Sequence, residues 1–437
     1  MLSPATVIVV SQRRLWSTGL TLTGLCLITV WFYGLHPSSP IPRQADESET
    51  SHSRTPGVPE RWQQSVLSTR LAGQSLGHVL ELLALTGGVF LLIRAVAGGR
   101  LSPVHFSRRS PGAIPTIPSG EVQRLLRPDG SELHMETRGS STLPTVILIH
   151  GWSLNSDQWV YLQHEWQHKL RVVTWDLAGL GNSTQPANRD FSLEKMARDL
   201  EAVIEASGPG PVILLGHSIG GMVILKFCEL FPELLGRRVS KLVLVHTTYT
   251  NPLRTMANSD RFVSLQKVLI EPLLHLQILF SPFIWVMDYL SYLDGSIHRS
   301  LRRTGFAGTE TRSQLDFIAS FYAQDSPAVL ARGALAMLAY DSTRVLSEIR
   351  IPVLVVGGEQ DPITGMQASR EMASRLVCGR LVVLDPAKHF GLIEHYREFA
   401  RQSAAFCLED REVSSRNAGS WDSSAATNVG LPESASK

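Results

Sequence analysis

The sequence predicts an α/β chain: a mostly parallel sheet covered by helices on both faces, interrupted by an inserted helical cap and preceded by one or two N-terminal transmembrane helices. Three observations predict it. Six short β-branched runs alternate with helical stretches between residues 145 and 384, the pattern of βαβ units. More than a hundred residues separate the fourth run from the fifth, far beyond an ordinary connection. Two long apolar runs, at 15–33 and 76–93, stand ahead of the first strand.

Composition narrows the classes further. With 43% hydrophobic and 18% charged residues over 437 positions, wholesale disorder is excluded. Lys plus Arg (41) nearly balances Asp plus Glu (39), and the net charge of +2 leaves no basic footprint for nucleic acid. The four cysteines, Cys26, Cys228, Cys378 and Cys407, form neither a CxxC pair nor a metal-ligand spacing, so neither a disulfide scaffold nor a zinc site is expected.

Residues 1–110 read as a membrane-anchor region. The first run, LWSTGLTLTGLCLITVWFY, is uncharged and directly follows Arg13 and Arg14; about 20 such residues cross the hydrocarbon core. A secretory signal peptide is the competing reading, but the run exceeds the usual ~7–15 residues of such a segment and no Ala-x-Ala-like site follows. The second run, LGHVLELLALTGGVFLLI, carries only His78 and Glu81, both near its first turn, where they can reach the interface. An amphipathic or buried helix is the alternative there. The Pro/Ser/Thr-rich stretch 36–60 between the runs is a loop. Arginines precede the first run and follow the second (Arg94, Arg100, Arg108, Arg109). If both runs span, the downstream domain is cytoplasmic; if only the first does, it lies outside.

The sheet follows in order. EVQRLL (121–126) and ELHMET (132–137), joined through Pro128, Asp129 and Gly130, form an antiparallel hairpin on the sheet edge. The six runs are TVILI (145–149), RVVTW (171–175), PVILL (211–215), KLVLV (241–245), PVLVV (352–356) and RLVVL (380–384). Each is apolar on both faces, as a sheet covered on both sides requires. A helix over 192–206 opens with Ser192, has Lys195 where a capping box takes Glu, and carries Met196, Leu200, Val203 and Ile204 at helical spacing. The core thus covers 120–248 and 346–408, the cap 249–345. The tail at 409–437, rich in Ser, Ala and Asn, is expected to be disordered.

Reacting groups on such a sheet sit beyond the carboxyl ends of the strands. After PVILL comes Gly216-His217-Ser218-Ile219-Gly220-Gly221, a G-x-S-x-G turn that aims a serine hydroxyl over the sheet. A serine needs a base, and the base an orienting acid. His389, in the loop after RLVVL, is the candidate base. Asp361, in the loop after PVLVV, is the candidate acid, with Glu359 and Asp385 as alternatives. His246 and His395 read as pocket or surface residues. The backbone amides of Ile219, after the nucleophile, and Trp152, in the loop after TVILI, are candidate oxyanion donors. Asp176 reads as structural, holding the oxyanion loop. Acyl transfer by such a triad needs no cofactor and no metal.

These residues carry a family resemblance. HGW (150–152), WDLAGLGNS (175–183), GHSIGG (216–221), GEQD (358–361) and KHF (388–390) together resemble the α/β-hydrolase superfamily over residues 120–408. The spacing is most similar to bacterial-type serine esterases, monoacylglycerol-lipase-like enzymes and cofactor-free haloperoxidase-like hydrolases. The resemblance implies ester or thioester hydrolysis through an acyl-enzyme on Ser218. Epoxide hydrolases and haloalkane dehalogenases share much of the pattern but use an aspartate at the turn, so Ser218 argues against both. The acyltransferase-like branch often carries an aspartate five residues after the histidine, where Glu394 stands here. The fold also hosts non-catalytic binding and scaffold proteins, which usually lose the serine or the histidine.

The first half of the cap, 268–293, is apolar almost all round and interrupted at Pro272 and Pro282. Glu271 and Asp288 bracket too short an uncharged stretch for a third span. Short helices lining an acyl-chain tunnel are expected, with Phe283, Trp285 and Met287 packing on lipid. Arg299, Arg302, Arg303 and Arg312 follow, either a basic rim for anionic headgroups or a solvated face. Together with the anchor, this makes a lipid membrane the expected partner and an amphiphilic acyl ester, such as a mono- or lysoglyceride, the expected substrate.

Overall fold

The computed structural model describes residues 112–256 and 259–409. The apolar runs at 15–33 and 76–93, and the tail from 410 onward, lie outside the described residues.

The edge hairpin forms as its turn chemistry requires. β1 (Glu121–Leu126) and β2 (Glu132–Arg138) pair antiparallel, with Leu126 opposite Glu132. The Gly130 N–H donates to the Arg127 carbonyl at 2.9 Å, and Gly130 takes a φ of +79°, which glycine adopts without strain. The six apolar runs become β3 (Thr145–Ile149), β4 (Arg171–Trp175), β5 (Val212–His217), β6 (Val239–Val245), β7 (Val353–Gly358) and β8 (Gly379–Leu384). The eight strands are ordered β1-β2-β4-β3-β5-β6-β7-β8, parallel from β4 to β8. β5 and β7 are buried throughout, whereas β1 is largely exposed. That contrast matches runs apolar on both faces at the centre and a mixed strand at the edge.

From β3 the chain passes to β4 on one side, then crosses to β5 on the other. The strand order therefore reverses between β3 and β5, which opens a crevice at their carboxyl ends. The TVILI and PVILL loops meet there.

Helices α1 (Val160–Trp166), α2 (Leu193–Ala206) and α3 (Ile219–Leu230) cover the first half of the sheet. Ser192 caps α2 by accepting the Lys195 N–H at 3.2 Å. The Lys195 ammonium lies against Asp199 one turn on and 3.2 Å from Asp129 in the hairpin turn. A lysine in place of the box glutamate thus ties the sheet edge to the helix. Met196, Leu200, Val203 and Ile204 are all buried, each worth about 1.5–3 kcal/mol.

The insertion is helical: α4 (Ser259–Leu265), α5 (Glu271–Leu279), α6 (Ser281–Leu293), α7 (Ser296–Thr304), α8 (Arg312–Phe321) and α9 (Pro327–Leu338). The core then resumes with α10 (Met366–Arg375), α11 (Gly391–Glu394) and α12 (Tyr396–Leu408). Pro282 lies in the first turn of α6, where the helices break at Phe280 as expected and a missing N–H costs little. Pro272, expected to interrupt the apolar stretch, does not break the helix. A π segment joins α4 to α5, giving one 21-residue helix, Ser259–Leu279, of mean hydropathy 1.3. By length and composition it is the one helix among the described residues that could cross a membrane.

Nor do α5 and α6 enclose a tunnel with their aromatic residues. Both pack on α9, and a single helical layer buries only the side turned inward. Met287 is buried, but Phe283 and Trp285 are 43% and 45% exposed. Leu269, Leu273, Leu276 and Leu279 are exposed as well, so the oily composition is displayed outward.

Candidate active site

The turn between β5 and α3 is held by close backbone packing. A Cβ on Gly216 would lie 2.4 Å from the Gly220 carbonyl, and one on Gly220 would lie 2.3 Å from the Ile149 oxygen. Only glycine fits at either place. Between them Ser218 is forced to φ +54°, ψ −119°, a region that non-glycine residues rarely occupy. Its N–H donates to the Val245 carbonyl at 2.9 Å, and its own carbonyl accepts from the Gly221 N–H at 2.9 Å and the Thr247 hydroxyl at 2.6 Å. Its neighbours Gly216, His217, Ile219 and Gly220 are buried, while Ser218 is partly exposed.

The loops after β7 and β8 bring Asp361 and His389 together. His389 Nδ1 lies 2.9 Å from Asp361 Oδ2. The carboxylate also accepts from the Ile363 N–H (2.8 Å), the Thr364 N–H (3.1 Å) and the Thr364 hydroxyl (2.8 Å). Burial alone would raise the Asp361 carboxyl. The charge of His389 and the imidazoles of His246 and His389 outweigh it and hold the group well below the usual carboxylate range. An ionised acceptor at Oδ2 requires the proton on His389 Nδ1, which leaves Nε2 with a free lone pair. The alternative acids are placed elsewhere: Glu359 pairs with Arg370 at 3.0 Å on the surface, and Asp385 is exposed.

Two further histidines surround this pair. His217 Nε2 lies 3.1 Å from the His389 carbonyl and fixes the backbone of the histidine loop. Burial, then the charges of His389 and His246, push His217 well below its ordinary range, so it serves as a neutral donor. His246 is wholly buried rather than on the surface, with Nδ1 3.4 Å from Asp361 Oδ2. Gly358 and Gly391 make room for its ring: a Cβ on either would come within about 3 Å of the imidazole. The signal for His246 was its place directly after β6, beside the β7 loop that bears Asp361.

Two backbone N–H groups, of Trp152 and Ile219, have no hydrogen-bond partner among the described residues. Ile219 opens α3, where the first-turn N–H groups are unpaired by construction and the helix dipole favours negative charge. The loop of Trp152 is drawn in because Gly151 packs against His217; a Cβ there would be 2.6 Å from His217 Nδ1. His150 bridges the same loop to the next, with Nδ1 donating to the Gly151 carbonyl (2.8 Å) and Nε2 accepting the Leu177 N–H (2.9 Å). Asp176 accepts from the Ser156 N–H at 2.7 Å and the Asn182 N–H at 2.8 Å. It holds both loops of the rim, as the sequence indicates.

Glu394 is a clamp. Buried, it accepts from the backbone of Ala307 (2.7 Å), Gly308 (3.0 Å) and Thr309 (2.6 Å) and from the Thr309 hydroxyl (2.8 Å), and so pins the cap to the core. Among the described residues no group of three or more His, Cys, Asp or Glu side chains is arranged to hold a metal ion.

A family model described as alpha/beta hydrolase fold matches residues 144–396. The pimeloyl-[acyl-carrier protein] methyl ester esterase of Aliivibrio fischeri is 24% identical over 279 residues, 63% of this chain and 96% of that protein. Human epoxide hydrolase 4 is 27% identical over 127 residues, which cover 29% of this chain and 34% of that one. Among solved structures, an esterase from Exiguobacterium antarcticum aligns with a TM-score of 0.52 at 20% identity, over 65% of this chain and 99% of that one; at such identity the likeness shows the fold alone. Since the family match runs from the strand that carries the Trp152 loop to the start of α12 and takes in more than half of the chain, this protein is a member of the α/β-hydrolase superfamily.

Proposed function

We propose that the chain is a membrane-anchored serine hydrolase that cleaves carboxylic esters through an acyl-enzyme on Ser218. The observation that carries the reading is the 2.9 Å contact between His389 Nδ1 and Asp361 Oδ2, which leaves Nε2 free to act as the base for Ser218. Ser218 Oγ attacks the ester carbonyl while His389 Nε2 takes its proton. The tetrahedral oxyanion meets the unpaired N–H groups of Ile219 and Trp152, each worth about 2.7–4 kcal/mol of barrier. His389 then gives its proton to the leaving alcohol, and afterwards activates the water that releases the acid. The Aliivibrio relative, named as a methyl ester esterase over most of its length, supports ester hydrolysis. The epoxide hydrolase match covers a third of that protein, and a serine at the turn favours the acyl-enzyme.

The substrate is an amphiphilic acyl ester of the mono- or lysoglyceride kind, taken from the bilayer. Support comes from the uncharged run at 15–33 and from the apolar outer face of α5 and α6. With both N-terminal runs in the membrane, the catalytic domain faces the cytoplasm. A panel of p-nitrophenyl esters of increasing chain length, with and without liposomes, tests the lipid half: turnover is expected to rise with chain length and with liposomes. Cleavage of short soluble esters only, with long chains neither reacting nor competing, overturns it.

A further inference from the structure

Trp152 is held by its side chain, not by its backbone. Among the described residues its one hydrogen bond runs from the indole Nε1 to the Leu330 carbonyl in α9, at 3.0 Å across 178 positions of sequence. Its neighbours, by contrast, are tied to the core. The Gly151 N–H donates to Gln158 Oε1 at 2.9 Å, and the Gly151 carbonyl accepts from His150. Ser153, on the other side, sits at φ +61°, and the Leu154 N–H closes the turn onto the Gly151 carbonyl at 3.2 Å, so both ends of the turn are fixed and Trp152 between them is tied only through its indole. The direction of the Trp152 N–H therefore depends on where α9 holds the indole.

At the point of contact α9 carries no side chain. A Cβ on Gly333 would lie 2.0 Å from Trp152 Cζ2 and 2.3 Å from Cη2. Glycine weakens a helix relative to alanine, and PAVLARGALAML is otherwise rich in Ala and Leu. The helix forgoes propensity at the position that faces the indole. Carbon atoms rest at about 3.5–4.0 Å, so a methyl group there drives the indole back by roughly 1.5 Å.

We infer that Gly333 is a positioning residue for the oxyanion donor at Trp152, and that the cap and the oxyanion loop work as one unit. The inference rests on the serine hydrolase reading, because it needs the Trp152 N–H to meet an oxyanion. α9 also packs against α5 and α6. The cap helices with the exposed apolar face and the Trp152 indole thus both rest on α9, and whatever displaces α9 displaces the donor.

Steady-state kinetics on a short p-nitrophenyl ester, with melting temperatures, test this on the full chain. The proteins compared are wild type, Ser218→Ala, Gly333→Ala, Trp152→Phe and the Trp152→Phe/Gly333→Ala double variant. Gly333→Ala is expected to lower kcat by about 10- to 100-fold, to leave KM within about threefold, and to lower Tm by only a few degrees, the gain in helix propensity offsetting part of the overpacking cost. Trp152→Phe lacks the ring edge that the methyl group strikes, so adding Gly333→Ala to it should cost less than about threefold. A Gly333→Ala variant with wild-type kcat overturns the inference, as does an equal loss in the Trp152→Phe background. Wild type no more active than Ser218→Ala overturns the hydrolase reading, and this inference with it. Active wild type, inert Ser218→Ala and unimpaired Gly333→Ala overturn the inference alone.

Discussion

Asp361→Asn separates the orienting role of the acid from mere packing, because every group around the carboxyl is a donor. Oδ1 accepts from the Ile363 and Thr364 N–H groups at 2.8 and 3.1 Å; Oδ2 faces His389 Nδ1 at 2.9 Å and the Thr364 hydroxyl at 2.8 Å. An amide offers one oxygen and one NH2. The backbone donors cannot reverse, so the amide oxygen stays with them and the NH2 turns to His389. The Thr364 hydroxyl can rotate; the imidazole must accept at Nδ1 and carry its proton on Nε2, where it can no longer take one from Ser218. The expected loss in kcat is about 10³–10⁴-fold, or roughly 4–5.5 kcal/mol of barrier, with KM little changed. Stability also moves. The folded-state carboxyl of Asp361 lies well below its ordinary value of 3.8, so its stabilising effect is present above that pH and fades as pH falls. The variant should melt lower than wild type at pH 7, and the gap should close under acid. Turnover of p-nitrophenyl butyrate at pH 7.5 and melts from pH 3 to 7 provide the assays. A folded Asp361→Asn protein with kcat within about tenfold of wild type refutes the tautomer reasoning.

Two further predictions concern strain and an idle carboxyl. Ser218→Gly relieves the φ of +54°, worth about 1–3 kcal/mol less about 0.4–1 kcal/mol for the freer unfolded chain; it should be inactive yet melt higher than Ser218→Ala, and a lower Tm argues against strain at the turn. Burial, helped by the charge of Asp176, raises Asp325 to about 7, and its Oδ2 has no hydrogen-bond partner. With the folded value above the unfolded one, the contribution of Asp325 is full below pH ~4 and is lost as pH rises through ~7. Asp325→Asn should flatten the pH dependence of denaturant melts over that window and stabilise the protein at pH 8 by up to a few kcal/mol; an unchanged slope contradicts it.

Much of the fold is written in local pattern, and what is not depends on contacts across long stretches of chain. β3 to β8 coincide with the apolar runs to within two residues, because a strand buried on both faces has to be apolar at every position. The Ser218 turn was readable because its glycines answer a steric need that extends only two residues either way. Sequence favoured Asp361 but left Glu359 and Asp385 as alternatives, since all three follow a strand; burial and the Thr364 donors distinguish it. His217 and His246 escaped notice as partners because the former is the variable residue of the G-x-S-x-G turn and the latter ends a strand 115 positions before Asp361. The cap misled most. An apolar sequence near 268–293 suggests an interior, but a layer one helix deep above α9 has an outside, and Phe283 and Trp285 stand on it. The Trp152–Gly333 contact has no sequence signature beyond a glycine in a helix.

The most direct measurement is mass spectrometry of the full chain after reaction with a fluorophosphonate, which traps a serine that is both deprotonated by its base and served by oxyanion donors. If Ser218 is the nucleophile, the wild type gains one adduct, on the peptide containing Ser218, while Ser218→Ala gains none and His389→Ala reacts far more slowly. An unreactive wild type, or an adduct on any other residue, contradicts an acyl-enzyme at Ser218.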